Sequence, residues 1–444
     1  MSDLLSIGAS GVRAYSTALA AVGNNVSNAD TPGYTRRTVS MTENAAGGDQ
    51  LSTTGTAQFN GVSTASIGRA WDDYQAQAAR TAAGEAGQAD ATNTWLSNAE
   101  SALNDTGNGV GQSATAFFNA GDALAGDPGS AGNRQAFLTS LDQTASAFNA
   151  TASSLADVSS GIDTAAQTTV QTVNATLDQI DKVNTALKTA QAGSSQAADL
   201  MDQRDRLLDS LSSEVGINVS LDNNGAATVT FAGSNLQMTG NPGARLAVAT
   251  GTNGTLAVQA ISAGKTQAIG DAGGALGGLV TSASTVADRR AALDKMASDF
   301  AGAVNAWQAQ GQTTAGAAGA PLLSGTTAGT IKLSTTDTSA IAVATSGSAN
   351  GNLLTLSTLR GANGVEKSWN GMVTDQGQVT AAAKSANTAA ASVASSSMDA
   401  RNAESGVDLN TEAAEMIRYQ QAYNAAAKVI QTSKDTLDSI FQLF

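Results

Sequence analysis

The chain has 444 residues, enough for roughly two to four domains with sizeable cores. It carries 23 Lys and Arg against 37 Asp and Glu, a net charge of −14 that excludes the basic footprint needed for general nucleic-acid or anionic-membrane binding. It has no Cys, which removes disulfides, thiol nucleophiles and zinc thiolate sites, and no His, the commonest general base and metal ligand near neutral pH.

The first stretch, "MSDLLSIGASGVRAYSTALAAVG", has an Asp at its third position and no apolar run of signal-peptide length. By that criterion the chain reads as cytoplasmic, unless an export route without a cleaved leader is used. Nothing approaches the ~18 apolar residues of a membrane span. Val12, Tyr15, Leu19, Val22 and Val26 are spaced as a heptad seam and predict a helix. Gly23, Asn24 and Asn25 weaken that helix near its end, and Thr31-Pro32-Gly33 reads as a tight turn.

Trp71 to about Val215 reads mainly as helix, interrupted by a loop at Asp127-Pro128-Gly129. Its clearest piece is "AADLMDQRDRLLDSLSSEVG", with Leu200, Leu207, Leu208, Leu211 and Val215 on one face. From Gly216 the period becomes two: Ile217, Val219 and Leu221, then "DNNG", then Val229 and Phe231 predict a β-hairpin. "ARLAVAT" and "GTLAVQAI" continue as strands. Helix is expected from Ala287 to Gln308, a Gly/Thr/Ser-rich stretch with one short strand over residues 311–351, and helix again from Ala381 to the end. There, Leu409, Ala413, Met416, Gln420, Tyr423, Ala427, Ile430, Lys434, Leu437, Phe441 and Phe444 alternate steps of 4 and 3, with only Gln420 and Lys434 polar. A seam this long predicts a coiled coil, and its apolar end at Phe444 is expected to need a partner.

Motifs for chemistry are weak. "AGKTQ" at Ala263–Gln267 is like a phosphate loop, but Gln259 stands where the first Gly is required. "GGALGG" at Gly273–Gly278 lacks dinucleotide-loop spacing and suits a tight turn or close helix packing. Asp199, Asp202, Asp205 and Asp209 recur on one helix with Arg204 and Arg206 between them, which favours a solvated charged face over a cation site. The triplet at Asn25 fits a glycosylation acceptor but arises readily in a chain rich in Asn and Ser. A Ser–His–Asp triad is excluded for want of His, a Ser–Lys pair is not, and no carboxylate pair stands out. The expectation is no enzyme, no cofactor and no metal.

"NNVSNADTPGYTRR", Asn24–Arg37, resembles the N-terminal signature of the bacterial flagellar axial proteins, the family of rod, hook and hook-associated proteins. "SGVDLNTEAAEMIRYQQAYNAAAKVIQTSKDTLDSIFQLF" is similar to their C-terminal segment. Tyr34-Thr35-Arg36, "DLMDQRDRLLDSLS" at Asp199–Ser212, and Asn305, Gly311, Gly316 and Gly319 before Leu322-Leu323 resemble the members that join hook to filament, though Leu323 stands where Phe is usual.

The resemblance implies a structural protein of the flagellum, located outside the cell and exported through the flagellar type III channel without signal cleavage. It implies as partners further copies of itself in a ring or helical zone, the hook protein, a second junction protein and an export chaperone gripping the C-terminal helix. It implies no nucleic acid and no membrane. The N- and C-terminal helices would pair as a coiled coil lining an inner tube, with Val12, Tyr15, Leu19, Val22 and Val26 against Met416, Tyr423, Ile430, Leu437 and Phe441. Asn24, Asn25, Asn28, Thr31, Pro32, Gly33, Tyr34 and Arg36 would form the signature turn, and Arg36 and Arg37 would meet acidic neighbours between subunits.

The expected fold class is α+β, in three parts. Residues 1–40 with 400–444 form a terminal coiled coil; 41–215 with 275–310 and 352–399 form a mainly helical domain; 216–274 with 311–351 form a β-rich outer region. The competing readings are a hook or distal-rod protein and, in another class, a secreted coiled-coil adhesin or effector.

Overall fold

The computed structural model describes residues 2–44, 61–232, 234, 236–361 and 363–442, so Phe444, the last position of the expected seam, lies outside the described residues. The chain is mainly helical with small antiparallel sheets, an α+β fold. Its helices are α1 (Ser2–Ser27), α2 (Asp73–Ala102), α3 (Val110–Gly126), α4 (Ala131–Thr189), α5 (Ser195–Glu214), α6 (Gly274–Gln310), α7 (Val365–Ser405) and α8 (Leu409–Phe441). Its strands are β1 (Arg37–Glu43), β2 (Val62–Arg69), β3 (Ile217–Leu221), β4 (Ala227–Phe231), β5 (Arg245–Thr250), β6 (Leu256–Ser262), β7 (Lys265–Ile269), β8 (Leu323–Ser324) and β9 (Lys332–Leu333).

Two compact units interleave along the chain. One comprises Met1–Gly84, Val173–Ala244 and Ala391–Phe444; the other comprises Glu85–Thr172 and Arg245–Ala390. The chain passes from one to the other inside α2, α4 and α7 and between β4 and β5. These divisions fall at other points than the expected three-part scheme, and the expected β-rich region is shared out. The β3–β4 hairpin belongs to the first unit, where the Asn184 amide of α4 donates 2.8 Å to the Ala227 carbonyl and accepts 2.7 Å from its amide. The β5–β6–β7 meander belongs to the second unit, with β6 against α6. Each hairpin closes locally and then covers the helix nearest to it, which needs no common β domain.

Residues 311–351 carry the two-residue pair β8–β9, one turn of 3-10 helix at Thr338–Ala340 and a few isolated bridges. Side-chain amides hold this segment in place of a ladder. Asn305 accepts from the Leu322 and Leu323 amides at 2.9 and 3.0 Å and donates to the Leu323 carbonyl at 2.9 Å. Gln308 donates to Ala340 and accepts from Ala342, while Asn352 donates to the carbonyls of Ala342 and Trp307.

The second unit has a core of packed aromatic rings. Phe117 packs on Phe137 at 5.0 Å and edge-on to Phe300 at 5.7 Å; Phe137 meets Trp307 and Phe148 meets Phe300. Rings bury the most area per residue, which offsets the small contribution of the abundant Ala.

Several local expectations hold in detail. Ala263 and Gly264, both at positive φ (48° and 75°), form the two-residue turn between β6 and β7, so the phosphate-loop lookalike is a hairpin turn. Gly278 lies so close to the Gln88 carbonyl and Ala91 of α2 that a Cβ would collide, which is the close helix packing foreseen for the Gly-rich run. The α-helices of the expected 71–215 region break not only at Asp127–Ser130 but also at 103–109 and 190–194. α7 starts well before Ala381, and the helix expected to run on to the end is interrupted at 406–408. Asp408 starts α8 afresh by capping the Thr411 amide at 2.7 Å.

Candidate functional site

In the first unit α1 and α8 pack along each other in opposite directions. Gly8 meets Ile430, Gly11 meets the Ala426 side chain, the Tyr15 and Tyr419 rings lie 6.5 Å apart, and Asn25 meets Glu412. A Cβ on Gly8 would sit 2.6 Å from the Ile430 side chain, so this approach depends on the missing side chain.

The buried stripe of α1 is Gly11, Ala14, Ala18, Ala21 and Asn25, one residue ahead of the seam read from the large apolar residues. Of that seam Val22 is buried, Val12, Tyr15 and Leu19 are half-buried, and Val26 is exposed. On α8, Met416, Tyr423, Ile430 and Leu437 are half-buried and Phe441 is 76% exposed. Glu412, Tyr419, Ala426 and Ser433 occupy the alternate positions, while Leu409, Ala413, Gln420, Ala427 and Lys434 are exposed. The polar breaks at Gln420 and Lys434 therefore mark the outer face. Leu4, Leu5, Leu409, Ile417, Val429, Ile440 and Phe441 leave apolar surface uncovered along both helices.

Behind α1 lies a joint centred on Asn25, which is 1% exposed. Its Nδ2 donates to the Arg37 carbonyl at 3.0 Å and to Glu412 Oε2 at 2.9 Å. Its Oδ1 accepts from the Tyr34 hydroxyl at 2.9 Å and from the Arg37 amide at 2.8 Å. Both donors and both acceptor sites of one amide are used, so a single side chain ties α1, the following turn, β1 and α8. Thr31–Tyr34 is a type II turn: the Tyr34 amide donates to the Thr31 carbonyl at 3.1 Å, Pro32 is second and Gly33 third with φ 72°. Gly33 also lies against the Arg206 stem, where a Cβ would come within 2.5 Å of Cγ.

Asn24 and Asn28 continue the helix end. Asn28 donates from its amide to the Asn24 carbonyl at 2.9 Å and accepts from the Thr31 hydroxyl, and both lie at the surface of the α1 end. The Arg36 backbone bridges Ser405 and Ala70. Burial, reinforced by Asp202, Asp199 and Glu412 and opposed by Arg37, pushes the Tyr34 phenol up to about 12.

The second part of the joint is ionic. Asp202 and Asp205 on α5 are 2% and 3% exposed, and Arg204 is 1% exposed, so the expectation of a solvated face is corrected. Asp202 pairs with Arg37 at 2.6 Å and with Arg69 at 2.8 Å; Asp205 pairs with Arg69, Arg80 and Arg204 at 2.6–3.1 Å. Asp209 pairs with Arg80 and with Arg401 at 3.1 and 2.7 Å. Asp199, also on Arg37, and Arg206 behave as foreseen, the Asp199 side chain being 71% exposed and Arg206 exposed. The carboxylates recur at helical spacing on one face, and apart from Arg204 of α5 itself their cations come from β1, β2, α2 and α7. Arg37 thus places its charge on Asp199 and Asp202 of its own chain. Arg69 and Arg80 additionally face the Trp71 ring at 4.6 and 5.8 Å.

Among the described residues no cluster of acidic groups is placed to hold a metal ion, and no helix is long and apolar enough to cross a membrane.

Residues 96–323 match the family described as the flagellar hook-associated protein FlgK helical domain. Residues 5–35 match the flagella basal body rod protein family, and 401–443 match the flagellar basal body rod FlgEFG protein C-terminal family. The chain is 29% identical to flagellar hook-associated protein 1 of Bacillus subtilis over 96% of its own length and 95% of that relative. It is 28% identical to the protein of the same name in Salmonella typhimurium, over 70% of this chain and 57% of that relative. Among solved structures, the flagellar hook junction protein FlgK from Burkholderia pseudomallei matches in fold with a TM-score of 0.50 and 24% identity, over 55% of this chain and 46% of that one.

Proposed function

Since the chain belongs to the flagellar hook-associated protein FlgK family, whose helical-domain profile spans just over half of it, we propose that the α1–α8 pair and the joint behind it are its assembly element. The chain is a structural axial component of the bacterial flagellum at the junction of hook and filament. It is part of the flagellum outside the cell, and its partners are further copies of itself with the hook and filament on either side.

The observation that carries the reading is the arrangement of the matches. The two rod-family segments stand at opposite ends of the sequence, and the structure packs them together as α1 and α8 within the first unit. In the polymer the two helices act as a coiled coil toward the inner tube, their uncovered apolar residues meeting neighbouring copies. The signature turn is the joint at which the chain leaves that layer, and the helical second unit forms outer surface. Export proceeds without a cleaved signal, with a chaperone on the C-terminal helix and a second junction protein beyond this zone. A hook or distal-rod role fits less well, because the match over 96–323 is to the hook-associated helical domain.

Deletion of the gene tests the reading. Hooks should remain, flagellin should be secreted as monomer and motility should be lost; normal filaments in the deletion strain would overturn it.

A further inference from the structure

Seven Asn-Gly pairs occur in the sequence; the first begins at Asn60, outside the described residues, and the other six are described. An Asn-Gly pair converts when the Gly nitrogen, freed of its proton, attacks the Asn side-chain carbonyl carbon. The absence of a Cβ on Gly removes the steric barrier to that approach. Local structure then decides the rate, because a Gly N–H held in a hydrogen bond is a poor nucleophile and a bound Asn amide cannot swing toward it.

Five of the six pairs are restrained. The Gly225, Gly254 and Gly364 amides donate at 2.9 Å to the carbonyls of Asp222, Gly251 and Gly361. Asn253 is also held by the Thr255 amide and hydroxyl. Asn350 donates to the Ala125 carbonyl at 2.9 Å and accepts from Ser348, and the Gly351 amide faces the Ser348 carbonyl. Asn370 and Gly371 lie inside α7, where the helical backbone keeps the amide nitrogen turned away from the preceding side chain.

Asn108 differs. It is exposed in the loop between α2 and α3, and neither its side-chain amide nor the Gly109 N–H has a hydrogen-bond partner among the described residues. Only its carbonyl is engaged, at 3.4 Å from the Ser113 hydroxyl. Gly109 cannot be traded for a protecting residue, since a Cβ there would strike Asp105, whose carboxylate accepts from the Gly111 amide at 2.9 Å at the start of α3.

We infer that Asn108 is a spontaneous deamidation site and converts first among the six. Hydroxide takes the Gly109 proton, the nitrogen bonds to Asn108 Cγ, and ammonia leaves as the five-membered imide closes. Water then adds to one of the two imide carbonyls and opens the ring, leaving aspartate or isoaspartate at position 108. The net change is one water consumed and one ammonia released, with nothing oxidised or reduced. The new carboxylate lies beside Asp105 at the N-terminus of α3, so an assembled protein that is not replaced acquires negative charge there with age.

The test is to hold the full chain in warm, mildly alkaline buffer, digest it, and quantify the acid form of each of the six pairs by mass spectrometry. The Asn108 peptide should convert several-fold faster than the other five, and Asn108→Gln should remove that signal. In urea the six rates should draw together. A native chain in which Asn224 or Asn253 converts as fast as Asn108 would overturn the inference. So would a lead of Asn108 that persists unchanged in urea, since the fold would then have no part in it.

Discussion

The Asn25 side chain donates a 2.9 Å hydrogen bond to Glu412, a residue 387 positions later in the chain, and both groups are buried. This one contact closes the loop between the two terminal helices, and it is polar in a place where the small residues of α1 leave little apolar area to bury.

Replacing Asn25 by Ala removes four hydrogen bonds and strands the Arg37 backbone groups and the Glu412 carboxylate. Each buried group left unpaired costs about 1–3 kcal/mol. Hydrogen exchange should show α1 and α8 losing protection while the second unit keeps its own. Asn25→Asp should be worse, because it sets a carboxylate against Glu412; an equal or milder effect than Ala would contradict the assigned donor.

Asp205→Asn leaves Arg69, Arg80 and Arg204 short of their shared counter-charge. Breaking a buried pair costs about 3–5 kcal/mol. The expected outcome is a lowered urea midpoint for the first unit, with near-ultraviolet circular dichroism of the aromatic core in the second unit retained. Asp199→Asn, on the exposed end of the same row, should change the unfolding free energy by no more than about 0.5 kcal/mol.

Tyr34 gives the joint an alkaline limit. Its phenol ordinarily titrates at 10 and is raised to about 12 here, so the folded chain keeps the proton after the unfolded chain has released it. The stabilisation is complete below pH 10 and is lost as pH rises from 10 through 12. Stability curves across that window should fall more steeply for the native sequence than for Tyr34→Phe.

The outer face of α8 should matter only in the polymer. Ile417 and Phe441 are 57% and 76% exposed, so an Ile417→Asp, Phe441→Ser double variant should fold with little change in melting temperature. Its motility should nevertheless be lost, with hooks lacking filaments under the electron microscope. A variant that assembles normally would remove these residues from the subunit interface.

The tight turn at Thr31–Gly33, the β3–β4 hairpin and the helical character of both ends were legible because they follow from neighbours in sequence: Pro32 before Gly33, a period of two on either side of "DNNG", heptads at the termini. The registers of the helix pair were not. Large residues such as Tyr15 and Leu19 draw the eye, whereas helices that approach closely do so over Gly8, Gly11 and Ala18. The row from Asp202 to Asp209 read as solvated because, apart from Arg204, its cations Arg37, Arg69, Arg80 and Arg401 lie far away along the chain. Residues 311–351 carried no readable period, since the amides of Asn305, Gln308 and Asn352 hold them in place of a ladder.

Because the two units interleave, neither is a continuous stretch of chain. A ribosome makes Asn25 387 residues before Glu412, so through that stretch of synthesis the joint has its socket without its key. Any product stopped short of α8 lacks the Glu412 contact. The pairing of the helices is thus available only to chains translated through both.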